Sequence, residues 1–191
     1  MQVGPPTLRE RVARAILESA AGVLATRGED ASISDVAAAA GLARATVYRY
    51  FPNRYALVEA LAGLAVQDAG QRLSDARLDD VSVVDGLGRA VRALLGVGNY
   101  LVVLEQQRVR PDTVQFDAAV AQPLQRLFER GQQTAEIRGD IPPGSLTDML
   151  LGCVVGTFRS TPTLGVEATT DLVTSLFLDG ARARPAAAVT G

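Results

Sequence analysis

The chain has 191 residues, 48% hydrophobic and 21% charged, with a formal net charge of -2 at pH 7; that balance describes a folded globular protein and excludes an overall disordered one. It holds one cysteine and no histidine, which rules out an internal disulfide and removes the commonest metal ligand and the commonest catalytic base. No run of about 18 apolar residues occurs, and the opening MQVGPPTLRE lacks the apolar block of a secretory leader, so a cytoplasmic location with no membrane partner is expected.

Apolar residues recur at helical spacing almost throughout, and no alternating β-branched run is long enough for a sheet, so the expected fold class is all-α. Residues 1–6 read as a disordered start. Thr7 and Glu10 then stand in capping-box spacing and open a helix with Val12, Ile16, Leu17, Ala20 and Leu24 on one stripe, stopped by Gly28. Ser32 and Asp35 repeat the pattern before a helix from about Ile33 to Ala40, which Gly41 ends. A third helix covers about Ala43 to Tyr50 and closes at Phe51-Pro52, because the residue before a proline disfavours helix. Tyr50 and Phe51 read as core.

The fourth helix is long, from about Asn53 to Leu78, with Leu57, Leu61, Leu64, Ala65 and Leu73 on its apolar face. Helical patterns continue at about Val84 to Leu95, Asn99 to Val109, Thr113 to Gln132, Ser145 to Arg159 and Val166 to Leu178, which makes nine helices. Residues 181–191, ARARPAAAVTG, read as a mobile tail. Cys153 sits among Leu150, Leu151 and Val154 and reads as a small buried hydrophobe. Glu136, Arg138 and Asp140 read as an ion-pair cluster in a loop, and no metal-ligand cluster, activated nucleophile or phosphate-cradling glycine loop appears. Neither an enzyme nor a bound cofactor is expected.

Residues 32–51, SISDVAAAAGLARATVYRYF, carry the most information. Ala37, Gly41 and Val47 fall four and then six residues apart, which suits two short helices crossing steeply around a tight turn. Ala37 permits close approach, Gly41 can take a positive φ, and Val47 seals the second helix on the first. The charge is also uneven: between Asp35 and Glu59 there is no acidic residue, while Arg44, Arg49 and Arg54 all lie there. Residues 61–191 carry 12 arginines against 15 acids. A small basic footprint beside an acidic body is what a compact DNA reader joined to a regulatory body shows.

The run SISDVAAAAGLARATVYRYFPNRYALVEAL closely resembles the DNA-binding head of the TetR/AcrR family of bacterial transcriptional regulators, and PLQRLFERGQQTAEIRGDIPPGSLTDMLLGCVVGTF resembles the family's ligand-binding and dimerisation body more loosely. The resemblance implies a head over residues 7–67 and a body over residues 68–180. It implies that Ser32 caps the second helix and meets phosphate, that Thr46, Tyr48 and Arg54 contact phosphate, and that Arg44 and Ala45 face base edges, where an arginine can pair bidentately with guanine. Arg49 either contacts DNA or faces solvent on the far side of its helix. Ala43 stands where the family often has Ser or Thr, so the third helix is expected to lack a side-chain cap.

One recognition helix makes too few contacts for tight specific binding, so the resemblance implies a homodimer on an inverted repeat of double-stranded DNA. In the family the last two helices pair with their symmetry mates. Here that implies Leu150, Leu151, Val154, Val155, Phe158, Leu172, Val173, Leu176 and Phe177. A small, mainly hydrophobic effector would lie against Leu61, Leu64, Val91, Leu95, Tyr100, Leu104, Phe116, Val120, Phe128 and Met149, with Asn99, Gln106, Gln107 and Arg110 as polar contacts. The competing reading is a small-molecule-binding adaptor whose helix-turn-helix packs against protein. Repression is favoured over activation, though the sign depends on where an operator lies.

Overall fold

Capping chemistry at fixed offsets sets several of the helix starts in the computed structural model, which describes residues 6–159 and 164–183. Thr7 accepts from the Glu10 amide while the Glu10 carboxylate accepts from the Thr7 amide, and α1 runs over Leu8–Arg27. It ends on Gly28 at φ 58° and ψ -126°, a conformation that a Cβ would strain. Ile16, Leu17, Ala20, Ala21 and Leu24 form its buried stripe, with Val12 half-buried.

Ser32 and Asp35 build a second complete capping box at the start of α2, Ile33–Ala39. The helix closes as a Schellman motif: the Leu42 amide donates to the Ala37 carbonyl at 2.9 Å and the Gly41 amide to the Ala38 carbonyl at 3.1 Å, with Gly41 at φ 65°. That turn aims α3, Arg44–Tyr50, across α2. Ala37 and Val47 are both buried, and full burial of a valine is worth roughly 1.5 kcal/mol or more.

Among the described residues there are nine helices and no strand beyond the isolated bridge between Ile137 and Arg182. They are α1 to α3, α4 (Arg54–Asp75), α5 (Val83–Leu95), α6 (Gly98–Gln107), α7 (113–133), α8 (Pro143–Arg159) and α9 (Val166–Ala181). The middle of α7, Asp117–Ala121, winds as a π-helix between two α-helical stretches. No single helix among the described residues is long and apolar enough to cross a membrane.

The chain divides into two compact units. The first comprises residues up to Gln67 together with Asn99–Thr113, and the second Asp68–Gly98 with the residues from Val114 onward. A body running without interruption from residue 68 is therefore corrected: α6 is built into the unit that holds α1 to α3. Val103 and Leu104 of α6 are buried.

In the second unit α4 stops at Asp75, three residues short of the expected end. Arg77 takes a left-handed φ of 50° and Leu78–Asp80 form a 3-10 turn with Leu78 buried. Arg130 of α7 holds that turn by donating to the carbonyls of Leu78 at 2.8 Å and Val81 at 2.9 Å. The core gathers Leu87 and Val91 from α5, Leu124, Leu127 and Phe128 from α7, Leu150 and Val154 from α8, and Phe177 from α9. The Phe128 and Phe177 rings lie 5.6 Å apart.

Two expectations about the ends of the unit change. Cys153 is exposed on α8, because Leu150 and Val154 take the inward positions and leave Gly152, Cys153 and Gly156 outside. Residues 181–183 of the expected mobile tail are tied to the fold: Ala181 is buried, the Arg138 amide donates to its carbonyl, and the Ala183 amide donates to the Glu136 carbonyl. The rest of that tail and nearly all of the expected disordered start lie outside the described residues.

Candidate nucleic-acid interface

The surface of α3 follows from its period of 3.6 residues per turn. Val47 points inward and is fully buried, Thr46 and Tyr50 are half-buried at the flanks, and Ala43, Arg44, Ala45, Tyr48 and Arg49 are exposed. Arg44 and Tyr48 are one turn apart on the outer face. The Arg44 guanidinium lies 5.3 Å from the Tyr48 ring centroid, and its Nη2 donates to the Tyr48 hydroxyl at 3.2 Å. Stacking of this kind costs the cation none of its charge and restricts its rotamers, so the Arg44 side chain is partly ordered on the surface.

Arg49 leans the other way, with its guanidinium 5.7 Å from the Tyr50 ring. Ala43 occupies the N-cap position at φ -69° and ψ 142° and makes no side-chain cap bond, as its methyl group requires. The first amides of α3 are thus not satisfied by the side chain that precedes them.

Ser32 is exposed at the start of α2, but its hydroxyl is already engaged. It accepts from the Asp35 amide at 3.2 Å and donates to the Asp35 carboxylate at 2.7 Å. Arg27 reaches the other oxygen of the same carboxylate at 2.7 Å. The Ser32 hydroxyl and amide, with Arg27 contributing, hold the Asp35 carboxyl below its ordinary value.

Arg54 is where the structure departs from the implied phosphate contact. The side chain is half-buried and its guanidinium turns into the protein: Nη2 donates to the Gly28 carbonyl at 2.9 Å, Nη1 to the Ala31 carbonyl, and Nε to Gln107 Oε1 at 3.2 Å. Gln107, expected among effector contacts, is spent on the same pairing. No sequence signal joins these residues, because the acceptors lie 23 to 53 positions away.

Other expected positions divide by burial. Leu61, Leu64, Val91, Leu95, Tyr100, Leu104, Val120 and Phe128 are buried, and Phe116 is half-buried. Met149 is 58% exposed, so it stands on the outside of α8 and not in an interior. Of the expected dimer contacts, Leu150, Val154, Val173 and Phe177 are buried within the second unit, where they form its core. Phe158 packs on Gly98, where an added Cβ would stand 2.3 Å from its ring. Leu172 and Leu176 face outward, while Leu151 and Val155 are half-buried.

The family model for bacterial regulatory proteins of the tetR family matches residues 16–61, which takes in most of α1, all of α2 and α3, and the start of α4. The transcriptional repressor LfrR of Mycolicibacterium smegmatis is 54% identical over 54 residues, 28% of this chain and 28% of the repressor. The repressor DhaR of a Mycobacterium species is 28% identical over 159 residues, covering 75% of this chain and 78% of DhaR. By fold, the crystal structure of LfrR in complex with proflavine has a TM-score of 0.76 at 26% identity, covering 91% of this chain and 98% of LfrR. A tetR-family protein from Rhodococcus RHA1 shows the same fold, with a TM-score of 0.73 at 15% identity over 92% of this chain and 99% of that one. With its capped α2, its glycine turn and its exposed arginine-bearing α3, the chain matches the tetR family of bacterial regulatory proteins over residues 16–61 and shares the fold of LfrR over 91% of its length.

Proposed function

We propose that this regulator is a homodimeric repressor that occupies an inverted-repeat operator and leaves it when a small, mainly hydrophobic ligand binds. The observation that carries the reading is the outer face of α3, where Arg44, Ala45 and Tyr48 stand exposed on a helix seven residues long with no acidic residue nearby in sequence. Such a helix fits the major groove, which is about 12 Å wide, and its arginine can reach the acceptor edge of guanine. Thr46 at the flank and the amides at the uncapped start of α3 supply phosphate donors.

Dimerisation is supported by the outward surface of the last two helices. Met149, Leu172 and Leu176 are 58%, 46% and 65% exposed, and apolar side chains exposed together to that degree mark an interaction surface. A second copy of the chain brings an identical surface and doubles the number of groove contacts, setting the two recognition helices about 34 Å apart. The ligand class is supported by LfrR, which binds proflavine. Release from DNA then requires the ligand to bind one head spacing better than the other.

Selection of bound fragments from random DNA by the purified protein, with and without proflavine and a panel of apolar compounds, tests the reading. The expected result is enrichment of one inverted repeat whose retention falls with at least one compound. Enrichment of no sequence, or equal enrichment by Arg44→Ala protein, would overturn it.

A further inference from the structure

Arg54 and Gln107 carry different expected roles, phosphate contact and effector contact, yet the first unit brings them together: Arg54 Nε donates to Gln107 Oε1 at 3.2 Å. The other two nitrogens of the guanidinium point to the carbonyls of Gly28 and Ala31. Gly28 is the cap that ends α1, and Ala31 immediately precedes Ser32, the cap that starts α2. Arg54 itself is the first residue of α4, and Gln107 is the last of α6. One planar fork therefore joins the end of α1, the approach to α2, the start of α4 and the end of α6. Lysine, a point charge with no fixed fork, has no geometry for the same task.

Two of these elements flank α3 in the chain. Its supporting helix α2 starts next to Ala31, and α4 starts four residues after α3 ends. Of the three acceptors on Arg54, two are backbone carbonyls within the α1–α2 connection, and Gln107 is the side chain that arrives from the distant segment Asn99–Thr113. Gln106 comes to the same place: a Cβ built on Gly28 would stand 3.7 Å from its Oε1. The last turn of α6 is thus seated on the connector that orients the helix-turn-helix.

We infer that Arg54 and Gln107 are a positioning pair for DNA recognition: they tie the end of α6 to the frame presenting α3, and Arg54 acts on DNA through that frame and not by touching phosphate. This rests on the DNA-binding reading of α3 given above. A shift at the end of α6 that lengthens the 3.2 Å bond removes one of the three ties on the connector. The recognition helix then loses orientation without losing any residue that faces DNA.

The test measures operator affinity against salt for the wild-type dimer, Arg54→Ala, Arg54→Lys, Gln107→Ala, Gln107→Glu and the Arg54→Ala/Gln107→Ala double variant, on the fragment selected by the wild type. If Arg54 contacts phosphate, Arg54→Ala lowers the slope of log affinity against log salt by about 1.8, from about 0.9 per phosphate in each half of the dimer. A positioning pair leaves the slope unchanged while Gln107→Ala weakens binding about 3-fold or more, Arg54→Ala weakens it more, and the double variant binds no worse than Arg54→Ala alone. Arg54→Lys, which keeps the charge and loses the fork, weakens binding at an unchanged slope, and Gln107→Glu, which keeps the acceptor, retains wild-type affinity. A slope that falls with Arg54→Ala, wild-type affinity for Gln107→Ala, or losses that simply add would overturn the pairing. Amide hydrogen exchange supplies a measurement that needs no DNA: Gln107→Ala is expected to speed exchange over residues 28–37 while leaving α9 unchanged, and unaltered exchange there overturns the inference. Should the wild type select no DNA at all, the operator reading fails, and the exchange experiment alone decides whether Gln107 holds the connector.

Discussion

The outer face of α3 and the outer face of α8 and α9 are both turned to solvent, but their chemistry is opposite. The first presents Arg44, Arg49 and the amphipathic Tyr48, groups that water solvates well in the free protein. The second presents Met149, Leu172 and Leu176 with Gly152, Cys153 and Gly156 between them, groups that water solvates poorly. A charged face can stand alone until a polyanion reaches it, whereas an apolar face of this kind is favoured only when covered. On the homodimeric reading proposed above, the comparison teaches an order of events: a second copy closes the apolar surface before the basic surface acts, because one head alone binds too weakly.

The largest effect should come from charging the apolar face. Leu172→Glu with Leu176→Glu is expected to convert the dimer to a monomer in sedimentation and to weaken operator binding at least about 100-fold, since half the groove contacts disappear; a variant that stays dimeric at wild-type affinity would break the comparison. Next is removal of the charge that the other face needs. Arg44→Ala should cost about 10- to 100-fold in affinity and relax the preference at one base position per half-site, at 1–3 kcal/mol per lost bidentate contact. A uniform loss across all sequences would instead make Arg44 a phosphate contact.

A gain is expected at the uncapped start of α3. Ala43→Ser supplies the missing acceptor in backbone already suited to a cap, φ -69° and ψ 142°. It should raise stability by about 1 kcal/mol, read as a few degrees in Tm. No rise would show that the first amides of α3 are satisfied some other way.

The smallest effect is that of acid. Asp35 in the head and Glu167 in the body are both held below their ordinary values of 3.8 and 4.5, the first by Ser32 with Arg27 and the second by its ion pair with Arg92. A carboxyl whose folded value is depressed stabilises the fold above its unfolded value and loses that contribution as pH falls through the folded one. Stability should therefore be flat from neutral pH to about 5 and begin to decline as pH falls past the ordinary values, 4.5 for Glu167 and then 3.8 for Asp35, with each loss complete only below the lower value at which that carboxyl protonates in the fold. Asp35→Asn should flatten the lower part of the acid titration and leave the upper part in place.

Local chemistry made the helix-turn-helix legible. Ser32 with Asp35, Gly41 and Ala43 act within three or four residues of themselves, and the structure finds both capping boxes, the left-handed glycine and the absent cap at those positions. The TetR resemblance rested on the same stretch. What lay outside the reach of sequence depended on partners far along the chain. Arg54 is expected at phosphate because nothing nearby in sequence competes for it; its acceptors come from the end of α1, its connector and α6. Cys153 and Met149 are apolar and sit beside buried leucines, so composition placed them inside, while the helix phase put them outside. Phe158 packs on Gly98 of a distant segment, an approach that no local pattern announces.

The π-helical stretch Asp117–Ala121 has a consequence for how α7 can vary. Each added residue would rotate everything beyond it by about 100° in a regular helix and turn Leu124, Leu127 and Phe128 away from their neighbours. A widened turn stores one surplus residue without that rotation. Shortening the chain by a single alanine at 118 or 119 is therefore absorbed by rewinding to ordinary pitch, whereas the same deletion at Gln125 would swing the aromatic ring of Phe128 out of register with that of Phe177.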